Sequence, residues 1–193
     1  LQLMANYYDI KQDTSYVLEP GVYGQQKTRA VKGDPGGKDQ GTENLNLSVN
    51  YDDARLFGET AFGAQVYYRD YMTRFGYFAT FYPGGGQSKT ESERLGSRLD
   101  FETPFDVAAG ATLLWGLDAL METTSQPLED GRTFVPEMDQ NSLAPFLQAE
   151  VRLDPKWTVN AGLRYEKFWL EVDDYTTVYG NDVTGGELDY SET

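Results

Sequence analysis

The sequence predicts an all-β protein, an antiparallel up-and-down meander that forms part of a transmembrane β-barrel. Three observations predict this class: long segments that alternate between apolar and polar side chains, connections that alternate between long and short, and aromatic residues near the segment ends. Alternation with period two places successive side chains on opposite faces of a strand. Each strand therefore has one apolar face and one polar face.

The first half of the chain contains three predicted strands. LQLMANYYDI has a mixed pattern, and the polar, turn-rich residues 11–41 follow it. TENLNLSVNYDD and TAFGAQVYYRDYM alternate clearly and are joined by the short connection DDARLFGE. YFATFYPGGGQSKTE, residues 77–91, is predicted to be another polar loop.

The second half contains four more predicted strands. SERLGSRLDFET and AAGATLLWGLDALMET are joined by the short TPFDV, and the polar TSQPLEDGRTFVPEMDQN is predicted to be a long loop. SLAPFLQAEVRLDP and WTVNAGLRYEKFWLEV then meet at a tight turn around Asp154 to Lys156. The final segment, DDYTTVYGNDVTGGELDYSET, is predicted to be a loop with no strand after it. The total is about seven strands, too few and too open to close a barrel of the usual even-numbered kind.

Every second connection of an antiparallel meander lies at the same end of the sheet. The long connections therefore share one end, the long-loop end, and the short ones share the tight-turn end. Bacterial outer-membrane barrels have this plan, with an apolar outside and a polar lumen. Arg94 and Arg98 lie on the polar parity with Asp100, and we expect them to form charge ladders in the lumen that brace the wall or contact a plug.

Aromatic side chains are predicted to form two girdles, because amphipathic rings favour the interfaces of the bilayer. The tight-turn girdle consists of Tyr51, Phe57, Phe101, Phe105 and Trp157. The long-loop girdle consists of Tyr68, Tyr71, Tyr77 and Trp169.

Composition excludes several functions. The chain has no Cys and no His, so it cannot assemble a Ser-His-Asp, Cys-His or Cys/His zinc site. A formal charge of -15 and a pI near 4.3 argue against binding to nucleic acid. No pair of carboxylates stands out among the 31 acidic residues, and we expect neither enzymatic activity nor a metal site.

Residues 144–166, APFLQAEVRLDPKWTVNAGLRYE, resemble the barrel of TonB-dependent outer-membrane receptors. In that family a P-(F/Y)-x-Q strand, a tight turn and a W-x-x-x-A-G-L-R-Y-(D/E) strand are typical. GTENLNLSVNYDDARLFGETAFGAQVYYRDYMTRFG and RLGSRLDFETP are similar to the ferric-siderophore branch, nearest to the aerobactin-type receptors.

The resemblance implies a barrel of about 22 strands in the bacterial outer membrane, with an N-terminal plug and a TonB box. Its expected partners are a ferric siderophore, the TonB complex acting through the plug, and outer-membrane lipid. Iron would enter only as part of the siderophore, with no cofactor bound directly. Residues 1–193 show neither a plug nor a TonB box, so we expect them to be a fragment of the barrel domain that supplies wall and outer loops.

Two other functions stay open at this point. A passive porin or channel wall would use the same strands, and a soluble extracellular β-sandwich, such as an adhesin or a carbohydrate-binding module, would bury the apolar face against a second sheet.

A ferric siderophore is bulky, polar and often anionic, so its binding site needs cations and aromatic faces. The predicted ligand patch is one hairpin carrying Tyr71, Arg74, Tyr77, Tyr82 and Lys89. The alternative is that the tyrosines are interface anchors and Arg74 a solvated charge. The first long loop is locally basic and suits either electrostatic capture of an anionic complex or simple solvation; its cations are Lys27, Arg29, Lys32 and Lys38.

Overall fold

The computed structural model describes residues 1–12, 40–77, 86–107 and 110–192, and most of these residues are in strands. Among them no helix is long and apolar enough to cross a membrane. The strands are β1 (Gln2–Gln12), β2 (Gln40–Phe57), β3 (Thr60–Tyr77), β4 (Gly86–Phe105), β5 (Ala111–Pro127), β6 (Thr133–Asp154), β7 (Trp157–Arg164), β8 (Glu166–Val172), β9 (Tyr175–Thr176), β10 (Asp182–Val183) and β11 (Gly186–Glu192).

The strands form one large antiparallel sheet in the order β1-β2-β3-β4-β5-β6-β8-β11, and β7 also pairs with β6. Neighbours in the sheet follow one another along the chain, so the predicted up-and-down meander is confirmed. The short β9 and β10 form a separate two-stranded hairpin. Short connections follow Phe57, Phe105 and Asp154, where the sequence predicted tight turns, and all three lie at the same end of the sheet.

β7 and β8 are one strand interrupted at Tyr165. The pairs Phe146 with Arg164 and Leu143 with Lys167 keep one register across the interruption. The backbone N–H of Tyr165 donates to the Pro145 carbonyl oxygen at 3.1 Å, but Pro145 has no N–H to donate in return. The strand that the sequence predicted here is therefore confirmed, with a proline on its partner as the cause of the break.

Two predicted loops are wrong. The segment predicted as a loop between β5 and β6 is a hairpin whose connection is only residues 128–132, and the terminal segment contains β11, which pairs with β8. The sheet consequently has eight positions rather than about seven. Pro136 and register shifts between Thr124 and Pro127 interrupt the alternation in the hairpin, which is why the sequence pattern did not reveal it.

Directly paired residues of neighbouring strands lie on the same face of a sheet. We call the face that carries Leu47, Val66, Leu99, Leu117 and Leu147 the apolar face, and the opposite one the polar face.

Side chains of the apolar face are largely exposed, for example Val66 at 46% and Leu163 at 65%. Within the described residues, the hydrophobic side chains that are buried are Leu128, Ala144 and Val178. A soluble sandwich would bury this face against a second sheet, so the sandwich alternative is not favoured. A broad exposed apolar surface is what a strand wall in contact with lipid requires.

An aromatic row crosses the apolar face near the tight-turn end. Ring centroids of Tyr51 and Phe62 are 6.1 Å apart, those of Phe62 and Phe101 5.0 Å, and those of Phe101 and Trp115 4.2 Å. Six residues further along β3, Tyr68 lies about 20 Å away. Between these levels the apolar face of β3, β4 and β5 carries no charge; its residues there are Ala64, Val66, Leu95, Ser97, Leu99, Leu117 and Ala119.

The long-loop girdle is confirmed in part. Tyr68 and Trp169 lie on the apolar face, Trp169 through its pairing with Asn141. Tyr71 lies on the polar face, opposite Asn44 and Ser92, so its prediction as a membrane anchor is wrong. Tyr71 and Tyr68 are three residues apart, and an odd separation reverses the face in a strand.

Candidate functional site

A charge ladder crosses the middle of the polar face. Arg94 Nη2 lies 2.6 Å from Glu122 Oε2, and Arg98 Nε lies 3.6 Å from Asp100 and 3.9 Å from Asp118. Asp118 also accepts a hydrogen bond from Arg164. The predicted ladder is therefore confirmed, and it extends across β4, β5 and β7. Because its arginines already have carboxylate partners, the ladder braces the wall rather than offering unpaired charge.

Two aromatic rings lie against glycines on the same face. The nearest atoms to a Cβ added at Gly96 all belong to the Tyr67 ring, and the Phe146 ring approaches Gly116. The guanidinium carbon of Arg98 lies 4.7 Å from the centroid of Phe146. The glycines let both rings lie flat on the wall, which keeps them from filling the space in front of the polar face.

The structure separates the residues of the predicted ligand patch. Tyr71 lies on the polar face, whereas Arg74 and Lys89 pair directly with each other on the apolar face. Each cation has a carboxylate nearby: Arg74 lies 4.0 Å from Glu43, and Lys89 lies 2.7 Å from Glu91. The hairpin was predicted as one patch, but Arg74 is three residues from Tyr71 on β3, and this odd separation places the two side chains on opposite faces. Lys89 shares the face of Arg74 because the two residues pair.

The other predicted residues are described incompletely or not at all. The backbone of Tyr77 ends β3, but its side chain lies outside the described residues, as does the whole of Tyr82. The basic loop cations Lys27, Arg29, Lys32 and Lys38 also lie outside them. Ligand contact by all of these residues stays a prediction.

Arg69, which the sequence interpretation did not select, lies beside Tyr71 on the polar face. Its Nε–H donates to Asn44 Oδ1 at 3.2 Å, and its guanidinium carbon is 5.0 Å from the centroid of the Tyr71 ring. Asn44 is only 4% exposed. No carboxylate of the described residues forms an ion pair with Arg69. The signal was present in the sequence, because Arg69 and Tyr71 share a parity and Arg74 does not.

The wall around Arg69 is rich in hydroxyl groups and amides. Thr42 and Thr73 share a hydrogen bond of 2.9 Å between their hydroxyl oxygens, and Ser92 Oγ donates to Glu122 at 3.1 Å. The polar-face residues of this region on β2 to β5 are Thr42, Asn44, Asn46, Tyr71, Thr73, Thr90, Ser92 and Thr124. This part of the wall can therefore donate and accept many hydrogen bonds.

The polar face becomes apolar further along the sheet at the long-loop end. Leu170 lies between Gln140 and Leu188, and Phe168 lies between Ser142 and Tyr190. Val172 continues the same surface opposite Met138. Sequence interpretation missed this apolar wall of β6, β8 and β11, because β11 was predicted to be a loop.

The connection between β8 and β11 packs on the tip of the β5–β6 hairpin. Val178 packs with Leu128 in the small buried cluster, and Arg132 Nη1 donates to the Val178 carbonyl oxygen at 2.7 Å. Arg132 also lies 2.6 Å from Asp130, and its hydrogen bonds to that carboxylate lower the pKa of Asp130 below its usual value. In the described part of the chain, no group of three or more acidic side chains is arranged to hold a metal ion.

Sequence comparison relates the chain to known proteins. Residues 2–192 match the TonB-dependent receptor-like β-barrel family. The ferric aerobactin receptors of Klebsiella pneumoniae and of Escherichia coli are each 28% identical to the chain over 204 aligned residues, covering 91% of this chain and 27% of the relative. The chain thus spans about a quarter of the length of these curated relatives.

An antiparallel meander with an exposed apolar face, an aromatic row and a charged polar face is the structure expected of an outer-membrane barrel wall. The family match covers nearly all of the same residues. The chain therefore belongs to the TonB-dependent receptor family, as part of its outer-membrane β-barrel.

Proposed function

We propose that this chain forms part of the wall and mouth of an outer-membrane receptor that binds a ferric siderophore and passes it into the cell. The observation that carries the proposal is the polar face at the long-loop end, which combines Arg69, Tyr71 and a hydroxyl-rich wall with the apolar wall of β6, β8 and β11. Such a surface suits a ligand with both polar and apolar parts. The names of the two curated relatives support the same ligand class.

Energy for uptake would come from the TonB complex, acting through another part of the full-length receptor. The apolar face would contact outer-membrane lipid. Catalysis has no place in this proposal, because the family is a transport receptor family. A passive channel wall is not favoured, since the family match is to receptors.

Tyr71 is the predicted ligand residue whose described placement best fits this proposal. Arg74 and Lys89 lie on the apolar face and have carboxylate partners, so we expect their charge reversal to reduce ligand affinity less than Tyr71→Ala does. Comparable losses for all three variants would restore Arg74 and Lys89 as ligand contacts.

The test is binding of a panel of ferric siderophores to the purified full-length receptor, followed by uptake of the best ligand into cells with and without functional TonB. Saturable binding with TonB-dependent uptake is the expected result. Diffusive, non-saturable passage that is independent of TonB would favour a passive channel and overturn the proposal.

A further inference from the structure

We propose that Arg69 is an anion-binding residue that recognises a free carboxylate on the ligand. This inference rests on the proposed function and deepens it, because it names the chemical group that the receptor reads. Arg69 lies on the polar face of β3, and the described residues place Tyr71 and Asn44 against it.

Uncharged groups hold Arg69 in place. Its Nε–H donates to the amide oxygen of Asn44, a residue that is 4% exposed, and its guanidinium lies over the Tyr71 ring at 5.0 Å. A buried amide and an aromatic face orient the guanidinium without neutralising it. Its terminal N–H groups are left to form a planar fork, which matches the geometry of a carboxylate.

Three other cations at the long-loop end are paired with carboxylates. Arg94, the direct neighbour of Arg69 on β4, has Glu122 at 2.6 Å. Arg74 and Lys89, on the apolar face, also have carboxylate partners. Within the described residues, Arg69 therefore differs from these three cations in having no ion pair.

Charge is distributed unequally between the two faces of β2 to β5 at the long-loop end. On the polar face the described charges are two arginines and one glutamate, Arg69, Arg94 and Glu122. On the apolar face they are four carboxylates and two cations, Glu43, Asp70, Glu91, Glu93, Arg74 and Lys89. The polar face is thus locally positive in a chain of formal charge -15, which favours an anionic ligand there.

The experiment measures the affinity of the full-length receptor for two forms of one ferric siderophore: a form with a free carboxylate, and a form in which that carboxylate is blocked as a neutral amide. The wild-type receptor is expected to bind the carboxylate form about 10-fold to 100-fold more tightly, the range of a charged hydrogen bond. Arg69→Gln should remove this preference, because it lowers affinity for the carboxylate form far more than affinity for the amide form. Arg69→Lys should keep part of it, because the charge remains but the planar fork does not.

Arg152→Gln is the matched control. Arg152 also lies on the polar face and has no ion pair within the described part of the chain, but it is near the tight-turn end. We expect this variant to keep the full preference for the carboxylate form.

The possible failures are distinct. An Arg69→Gln variant that still prefers the carboxylate form, or that loses both forms equally, overturns the role of Arg69 but leaves the receptor function standing. Failure of the wild-type receptor to bind any ferric siderophore overturns the proposed function, and this inference with it.

Discussion

Gly96 lies directly beneath the phenol ring of Tyr67, so a Cβ at this position would occupy the space of the ring. The two residues pair directly between β3 and β4 on the polar face. The contact shows how the wall keeps a large side chain flat, because glycine is the residue that leaves room for it.

Replacing this glycine should destabilise the barrel. We expect Gly96→Ala to lower the free energy of unfolding by about 1 to 3 kcal/mol, since the new methyl group overpacks the contact with Tyr67. The measurement is denaturant unfolding of the full-length receptor in lipid vesicles. Gly162→Ala is the control, because the nearest atoms to its Cβ are 3.4 Å or more away. In a Tyr67→Ser background the Gly96→Ala penalty should nearly vanish; a penalty that persists would contradict the proposed contact.

The loss of unfolding free energy caused by a new charge should depend on whether the substituted residue lies on the apolar or the polar face. Val66→Arg places a cation in the middle of the apolar face and should lower the free energy of unfolding by about 2 to 4 kcal/mol. Gln65→Arg, one residue away on the polar face, is the matched control and should cost far less. The comparison uses unfolding in bilayers of defined composition. Equal costs at the two positions would mean that the apolar face does not meet hydrocarbon.

Asp118 should couple two arginines of the charge ladder. A double-mutant cycle on Asp118 and Arg164 is expected to give a coupling free energy of about 0.5 to 1 kcal/mol, because both side chains are partly exposed and solvent screens the pair. The same cycle on the more exposed Lys89 and Glu91 should give less. A larger coupling for Lys89 and Glu91 would show that the ladder is not the stronger ionic contact.

Acid should weaken the contact between Asp130 and Arg132. Hydrogen bonds from Arg132 lower the pKa of Asp130 in the folded state, so the contribution of this carboxylate is present above the unfolded pKa of about 3.8 and is lost as pH falls through the folded pKa. Carboxyl-carbon NMR of Asp130 in the full-length receptor should give a folded pKa below that value. Arg132→Gln should bring the pKa back up, and an unchanged midpoint would contradict the cause we assign.

Whether a strand could be predicted from the sequence depended on where it lies relative to the bilayer. Alternation at Val66, Leu99 and Leu117 was clear, because one face meets hydrocarbon and the other meets a polar space. Beyond the bilayer both faces meet water, so the alternation loses its cause. The first part of β6 was missed for this reason, and because Pro136 and the register shifts near the hairpin tip interrupt its pattern.

The candidate site shows a different limit. Parity along β3 already grouped Arg69 with Tyr71 and separated both from Arg74, so the faces could be predicted. The sequence could not predict which cation lacks a carboxylate partner. The reason is that Glu43 approaches Arg74 from another strand and Glu122 reaches Arg94 from β5. Pairing between strands fixes these contacts, and a single sequence does not contain it.

β6 begins at Thr133, eight residues before Asn141. Asn141 pairs with Trp169 and is therefore level with the long-loop girdle. With strands tilted by about 40°, this extension raises the hairpin tip roughly 20 Å above the lipid boundary. In physiological salt, the electrostatic potential of an exposed charge decays over a screening length of about 8 Å. The rim is thus beyond the reach of lipid headgroup charges, and the sign of the ligands that gather there is governed by the protein itself.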